Sequence, residues 1–144
     1  MVEVVPFEPP VYEQVIALWG ATEGLTLREV DSREPVLAYI RRNPGLSFVA
    51  RDESVIVGAV LAGTDGRRGY LQHLAVARPY RGRGIGRTLA ARVVEALSSM
   101  GVAKCHLMVR RENEAAKAFW EHLGWSVRGD ISVMSHADPD VENA

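Results

Sequence analysis

The run Arg81-Gly82-Arg83-Gly84-Ile85-Gly86-Arg87 constrains this chain more than any other stretch. It follows the apolar residues Leu74-Ala75-Val76 and opens an amphipathic segment from Thr88 to Leu97, so a strand passes through glycines straight into a helix. Such a junction leaves several backbone N–H groups free and pointing one way, and three arginines surround them. It is an anion cradle. Any fold for this chain has to bring a strand end to a helix start at this point.

The spacing of the glycines excludes the common phosphate-binding patterns. A dinucleotide fingerprint needs G-x-G-x-x-G, but the third position falls on Arg87 when counting starts at Gly82 and on Leu89 when it starts at Gly84. The G-x-x-x-x-G-K-[ST] pattern fails at the same two residues. What fits is R-x-x-G-x-G, with Arg81, Gly84 and Gly86 in place.

At 144 residues the chain fits one compact domain, and its formal charge of −1 argues against a general nucleic-acid binder. Cys105 is the only cysteine, which removes an internal disulfide and a cysteine-based zinc site and leaves it as a small core residue. No window approaches the roughly 18 apolar residues of a membrane span. The expectation is a soluble, cytoplasmic protein without a metal, a membrane or a nucleic acid as partner.

Periodicity predicts a strand over Val2 to Val5, a helix from Pro10 to Trp19, and a second helix capped by Asp31 or Ser32 and running to Arg42. Strands over Ser47 to Arg51, Val55 to Ala62 and Tyr70 to Val76 read as an antiparallel meander. A helix follows from Gly84 to Gly101 with Ile85, Leu89, Val93, Ala96 and Leu97 on one face. A strand over Lys104 to Val109, a helix over Asn113 to Leu123, and closing strands over 125–127 and 131–134 complete the order β-α-α-β-β-β-α-β-α-β-β. The fold class is α/β (α+β), a mixed sheet with helices, in a domain spanning 1–137 with a frayed polar tail at 138–144.

These motifs resemble the GCN5-related N-acetyltransferases, whose loop carries Gln or Arg, two residues, then Gly-x-Gly or Gly-x-Ala. The resemblance includes the strand Leu74-Ala75-Val76 before the loop, the Pro79-Tyr80 lead-in, and Asn113 opening a segment that ends Phe119-Trp120-Glu121-His122-Leu123-Gly124-Trp125. The run Gly63 to Gly69 is similar to that of small bacterial acetyltransferases of unassigned substrate. Nearly the whole chain is covered.

The resemblance implies acetyl-CoA as co-substrate and an amine, small molecule or peptide, as acceptor. It implies that Gly82, Arg83, Gly84, Ile85, Gly86 and Arg87 present backbone N–H groups to the pyrophosphate, with Arg81, Arg83 and Arg87 adding charge. The pantetheine arm pairs with Leu74-Ala75-Val76 through the backbone of Leu74 and Val76, and Asn113 hydrogen-bonds the arm. A homodimer is common among relatives.

The proton chemistry departs from the family pattern. Where some members carry a tyrosine acid this chain has Trp120, and where others carry a glutamate it has Met108. No catalytic residue is therefore assigned. Three readings follow: a transferase whose thiolate leaves without a dedicated acid, one that relocates the task to Tyr70 or Gln72 on the strand before the cradle, and a non-catalytic acyl-CoA sensor.

Simpler roles account for several other residues. His73 alternates away from Gln72 and Leu74 in a regular strand and reads as a packed or hydrogen-bonded histidine. His106 reads as structural, Glu121 and His122 as solvated, and Met108 and Trp120 as core. The arginines Arg67, Arg68, Arg78, Arg81, Arg83 and Arg87 read as a plain charged surface, were it not for the glycines among them. On the acceptor side the acids Glu3, Glu8, Glu13, Glu23, Glu29 and Asp31 face only Arg28 and Arg33 up to that point of the chain, an acidic mouth suited to a cationic amine.

Overall fold

The computed structural model describes residues 1–144. The chain opens with β1 (Val2–Pro6), makes a 3-10 turn at Pro9–Val11, and enters α1 (Tyr12–Gly20). A second 3-10 turn at Glu29–Asp31 precedes α2 (Arg33–Arg42), and then β2 (Phe48–Asp52), β3 (Val55–Thr64) and β4 (Gly69–Val76) run as the expected meander. After a turn at Arg78–Tyr80 come α3 (Ile85–Ser99), β5 (Cys105–His106) and α4 (Glu114–His122). The five strands lie in the order β1-β2-β3-β4-β5; all neighbours are antiparallel except β4 and β5, which are parallel.

Helices cover both faces. Ile85, Leu89, Ala90, Val93 and Leu97 on α3 recur at helical spacing and pack with Phe48, Val57, Val60, Leu71 and Trp120 of α4 into one apolar cluster. On the other face Tyr12, Val15 and Trp19 of α1 and Val36 and Leu37 of α2 pack against Val49, Ile56, Ala59, Leu61 and Ala75. β3 lies between these layers and is buried continuously from Ile56 to Gly63, so it reads as an unbroken apolar run instead of an alternating one. Each of the larger side chains in these clusters contributes about 1.5–3 kcal/mol by leaving water.

β4 is not the regular strand expected from its sequence. Ala59 pairs with Ala75 and Leu61 with Gln72, so Val60 alone opposes both His73 and Leu74. That is a β-bulge, and His73 takes up the extra residue with φ of +52°, the left-handed region. The bulge reverses the strand's faces. Leu71 belongs to the α3 cluster, whereas Ala75, an even number of residues further on, belongs to the α1–α2 cluster. Gln72 and His73 consequently face the same side: Gln72 donates to Tyr39 of α2, and His73 meets Asp31 and Trp19.

The fold class is as expected, but the C-terminal part has fewer strands. The strand predicted over Lys104 to Val109 contracts to Cys105–His106, and Met108, expected in the core, is 76% exposed. Neither closing strand forms. Val127, Ile131, Val133 and Met134 are all exposed, a tight Arg128–Asp130 ion pair turns the chain between the two segments, and the two-residue β5 offers no ladder for them to extend. The polar tail is held near its end, where Asn143 accepts hydrogen bonds from the Arg28 side chain and the Glu29 N–H. No helix is long and apolar enough to cross a membrane.

Candidate active site

The site is built where β4 and β5 part. Pairing between them covers only Gly69 with Cys105 and Tyr70 with His106. Beyond that point the chain from Leu107 to Arg110 joins no ladder, and the β5-facing edge of β4 from Gln72 to Val76 is left unpaired within the sheet. A gap of this kind exposes backbone donors and acceptors that an extended ligand satisfies as a strand would.

The arginine and glycine run closes one end of the gap. Gly82 and Gly84 have φ of +80° and +81°, and a Cβ added at either meets nothing within 4 Å. These two glycines are required by the turn, and their outer side is open. Gly84 is the N-cap of α3 without a side-chain cap, and no backbone N–H from Gly82 to Arg87 has an acceptor in the protein. A row of unsatisfied donors at the start of a fifteen-residue helix attracts an anion through both hydrogen bonding and the helix dipole. Gly86 has a different reason to be small, since a Cβ there lies 3.1 Å from the Phe119 ring of α4.

The arginines are not equivalent. Arg81 donates through Nε to the Val76 carbonyl at 2.9 Å and through Nη1 to Glu23 at 2.6 Å, while Arg78 reaches the other Glu23 oxygen at 3.3 Å. Hydrogen bonding to Arg81 pulls the Glu23 carboxyl down to about 2. Arg83 stacks on Tyr80, whose hydroxyl is fixed by Asp52 at 2.6 Å. Arg87 is exposed and makes no ion pair. A surface depression of about 430 Å³ lies between β1 and the cradle, lined by Val2, Val4, Arg83, Gly84, Ile85, Thr88 and Arg92.

The connection between α1 and α2 spans the gap from above. Glu23 ties it to Arg78 and Arg81 on one bank; on the other, Arg110 donates to Thr26 at 3.2 Å and Gly24 lies against the Asn113 amide. Asn113 is the N-cap of α4, its Oδ1 accepting the Ala116 N–H at 3.0 Å, which leaves its Nδ2 as the group available to a ligand. Leu74, Ala75 and Val76 lie along the open edge of β4.

The acidic mouth expected on this side is largely neutralised. Glu3 pairs with Arg51, Glu13 with Arg33, Glu23 with the cradle arginines, and Asp31 is buried against His73. Of the acids expected there, Glu8 and Glu29 keep unpaired carboxylates, as does Glu34 in the first turn of α2. Tyr70 and Gln72, considered for relocated chemistry, are bound to Asp65 and Tyr39. Trp120 is a core residue in edge-to-face contact with Phe119 and Trp125, each at 5.0 Å. The pair that sequence reasoning missed is His73 with Asp31, 2.8 Å apart across 42 residues of chain. Nothing in the residue pattern marks the bulge that turns His73 toward it.

A strand edge, an open gap, and a glycine cradle leading into α3 lie together at this end of the sheet. Residues 12–125 match the family model described as the acetyltransferase (GNAT) family. An acetyltransferase of Pectobacterium atrosepticum is 35% identical over 97% of this chain and 99% of its own length. One from Sodalis glossinidius is 31% identical over 92% of each. Among solved structures, the PaiA N-acetyltransferase of Thermoplasma acidophilum in complex with coenzyme A superposes with a TM-score of 0.79, at 21% identity over 89% of this chain and 91% of that one. The chain belongs to the GNAT family of acetyltransferases, and is an acyltransferase.

Proposed function

We propose that the protein is an acetyl-CoA-dependent N-acetyltransferase in which a primary amine, on a small molecule or a peptide, attacks the thioester directly. The observation that carries this reading is the row of unsatisfied N–H groups from Gly82 to Arg87 beside the unpaired edge of β4. Gly82, Arg83, Gly84, Ile85, Gly86 and Arg87 hold the pyrophosphate, with Arg81 released from Glu23 to join them. The edge of Leu74, Ala75 and Val76 pairs with the amide-bearing arm, and Asn113 donates to it through Nδ2. The residues fit the ligand: a dense anion meets a helix N-terminus, and an amide chain meets a strand edge.

In the transfer the amine nitrogen forms a bond to the acetyl carbon as the carbon–sulfur bond breaks, and its electron pair leaves on sulfur. A backbone N–H at the bulged end of β4 is suited to the carbonyl oxygen as charge develops there. The acceptor is a cation before it reacts, and the unpaired Glu29 and Glu34 favour it electrostatically.

Calorimetry with acetyl-CoA tests the donor half. Wild type should bind, and Gly84→Val should abolish binding by filling the cradle. Thiol release in the presence of primary amines tests the acceptor half; binding without turnover on any amine class would refute transfer while leaving the cradle intact.

A further inference from the structure

We propose that His73, held by Asp31, is the base that takes the acceptor's proton; this rests on the N-acetyltransferase reading above. The geometry is that of a base and its orienter. His73 Nε2 lies 2.8 Å from Asp31 Oδ1, and the Asp31 carboxylate is buried. Asp31 is itself fixed: its Oδ2 accepts the Arg28 N–H at 2.8 Å, and its carbonyl accepts the Tyr12 hydroxyl at 2.6 Å. A carboxylate only accepts, so Nε2 carries the hydrogen, and Nδ1 is the nitrogen with the free lone pair. Nδ1 has no partner in the protein and is not sealed from solvent.

The placement agrees with the role. His73 is the residue immediately before Leu74, within the open β4 edge, with its ring on the face of the sheet that α1 covers. Its backbone sits in the left-handed region, which histidine adopts more readily than most side chains. The ring lies tilted at 59° against Trp19, centroids 5.0 Å apart; Trp19 is fully buried, and its indole N–H is the one buried side-chain donor without an acceptor.

The charged and titratable groups around the ring are few. Asp31 faces it from the 3-10 turn, and Tyr12 on α1 acts through the Asp31 carbonyl. α2 contributes Tyr39, bound to Gln72; β3 carries no ionisable side chain; and on β5 Cys105 and His106 lie beside Gly69 and Tyr70, at the far end of β4. The step balances as follows. One proton of the acceptor ammonium passes to Nδ1, giving an imidazolium that Asp31 stabilises, and the freed lone pair forms the carbon–nitrogen bond. A second proton leaves nitrogen as the amide forms and ends on the departing sulfur, and the imidazolium returns its proton to water. His73 is then a catalytic residue and Asp31 a positioning residue.

The test measures kcat and KM against pH for thiol release from acetyl-CoA with a pooled probe of spermidine, an amino-acid amide, kanamycin and a short free-amine peptide. His73→Asn, whose side chain tolerates the left-handed backbone, should lower kcat about 100-fold, erase the acidic limb of the profile and leave acetyl-CoA binding by calorimetry within about threefold. Asp31→Asn should lower kcat about tenfold while the KM for acetyl-CoA stays unchanged, because the imidazole loses the group that orients it. A second measurement needs no acceptor: diethylpyrocarbonate attacks unprotonated imidazole, so His73 should be carbethoxylated, mapped by mass spectrometry, and protected by acetyl-CoA. An unchanged acidic limb in His73→Asn, or a His73 inert to the reagent in the folded wild type, overturns the proposal. Failure of wild type to bind acetyl-CoA overturns the underlying reading instead.

Discussion

Glu23 and Arg81 meet at 2.6 Å across 58 residues of chain, and the carboxylate thereby occupies one of the guanidinium forks beside the α3 cradle. A side-chain anion stands where a phosphate oxygen is expected, and it belongs to the loop that spans the gap. On the proposed reading of the cradle, the donor pyrophosphate competes with Glu23 for Arg81.

Glu23→Gln should therefore raise acetyl-CoA affinity. The pair is exposed, so the gain is at most about fivefold, measured by calorimetry at low salt and shrinking as salt is added. The pH dependence has a definite sign. Since the carboxyl is held down at about 2, the ion pair persists above the ordinary carboxylate range and is lost only as pH falls toward 2. Acetyl-CoA affinity in Glu23→Gln and wild type should differ by a constant factor from pH 6 to 8.

Gly84→Ala separates backbone strain from obstruction. Its φ of +81° costs a β-carbon about 1–2 kcal/mol, while the space around it is open. Thermal stability should fall by that amount and acetyl-CoA binding should weaken only in part. Gly86→Val acts differently, pushing on Phe119 and shifting α4, so its stability loss should be suppressed by Phe119→Ala.

Trp120→Ala should destabilise by about 3–5 kcal/mol, because the ring is buried between Phe119 and Trp125 and its removal leaves a cavity there. Trp120→Tyr discriminates between roles for this position. If a tyrosine there restores an acid the chain lacks, kcat rises; the buried packing of Trp120 leads us to expect lower stability with no gain in kcat.

Cys105 should alkylate slowly. Burial pushes its thiol up to about 11, so at pH 8 only about one molecule in a thousand presents a thiolate. Reaction with iodoacetamide should be far slower in the folded protein than in 6 M guanidinium, and acetyl-CoA should not alter it, since Cys105 pairs with Gly69 at the closed end of the gap.

The elements that build the cradle were legible because each signal was local. Leu74-Ala75-Val76, the left-handed Gly82 and Gly84, and the apolar face of α3 are adjacent in sequence, and no distant residue alters their preference. The meander was legible for the same reason. What escaped was long-range pairing: Glu23 with Arg81 and Asp31 with His73 join loops to strands, and the acids among them looked like an open charged face until their partners were placed. The bulge escaped because one additional strand residue leaves no mark in the string Gln72-His73-Leu74-Ala75. The apolar residues of 125–134 suggested strands, but strand formation there depends on a neighbour, and β5 ends after two residues.

The reversal of faces along β4 has a consequence for how this chain tolerates change in length. Before the bulge odd-numbered positions point to α3, and after it they point to α1 and α2, so the extra residue at 73 works as a phase shifter between two halves of one strand. Deleting any one residue between Leu71 and Ala75 would restore strict alternation and send one half's side chains into the wrong layer. A deletion in the turn at Asp65 to Arg68 would merely shorten a connection. Variation in length should therefore accumulate at that turn and be missing from the short stretch that carries His73.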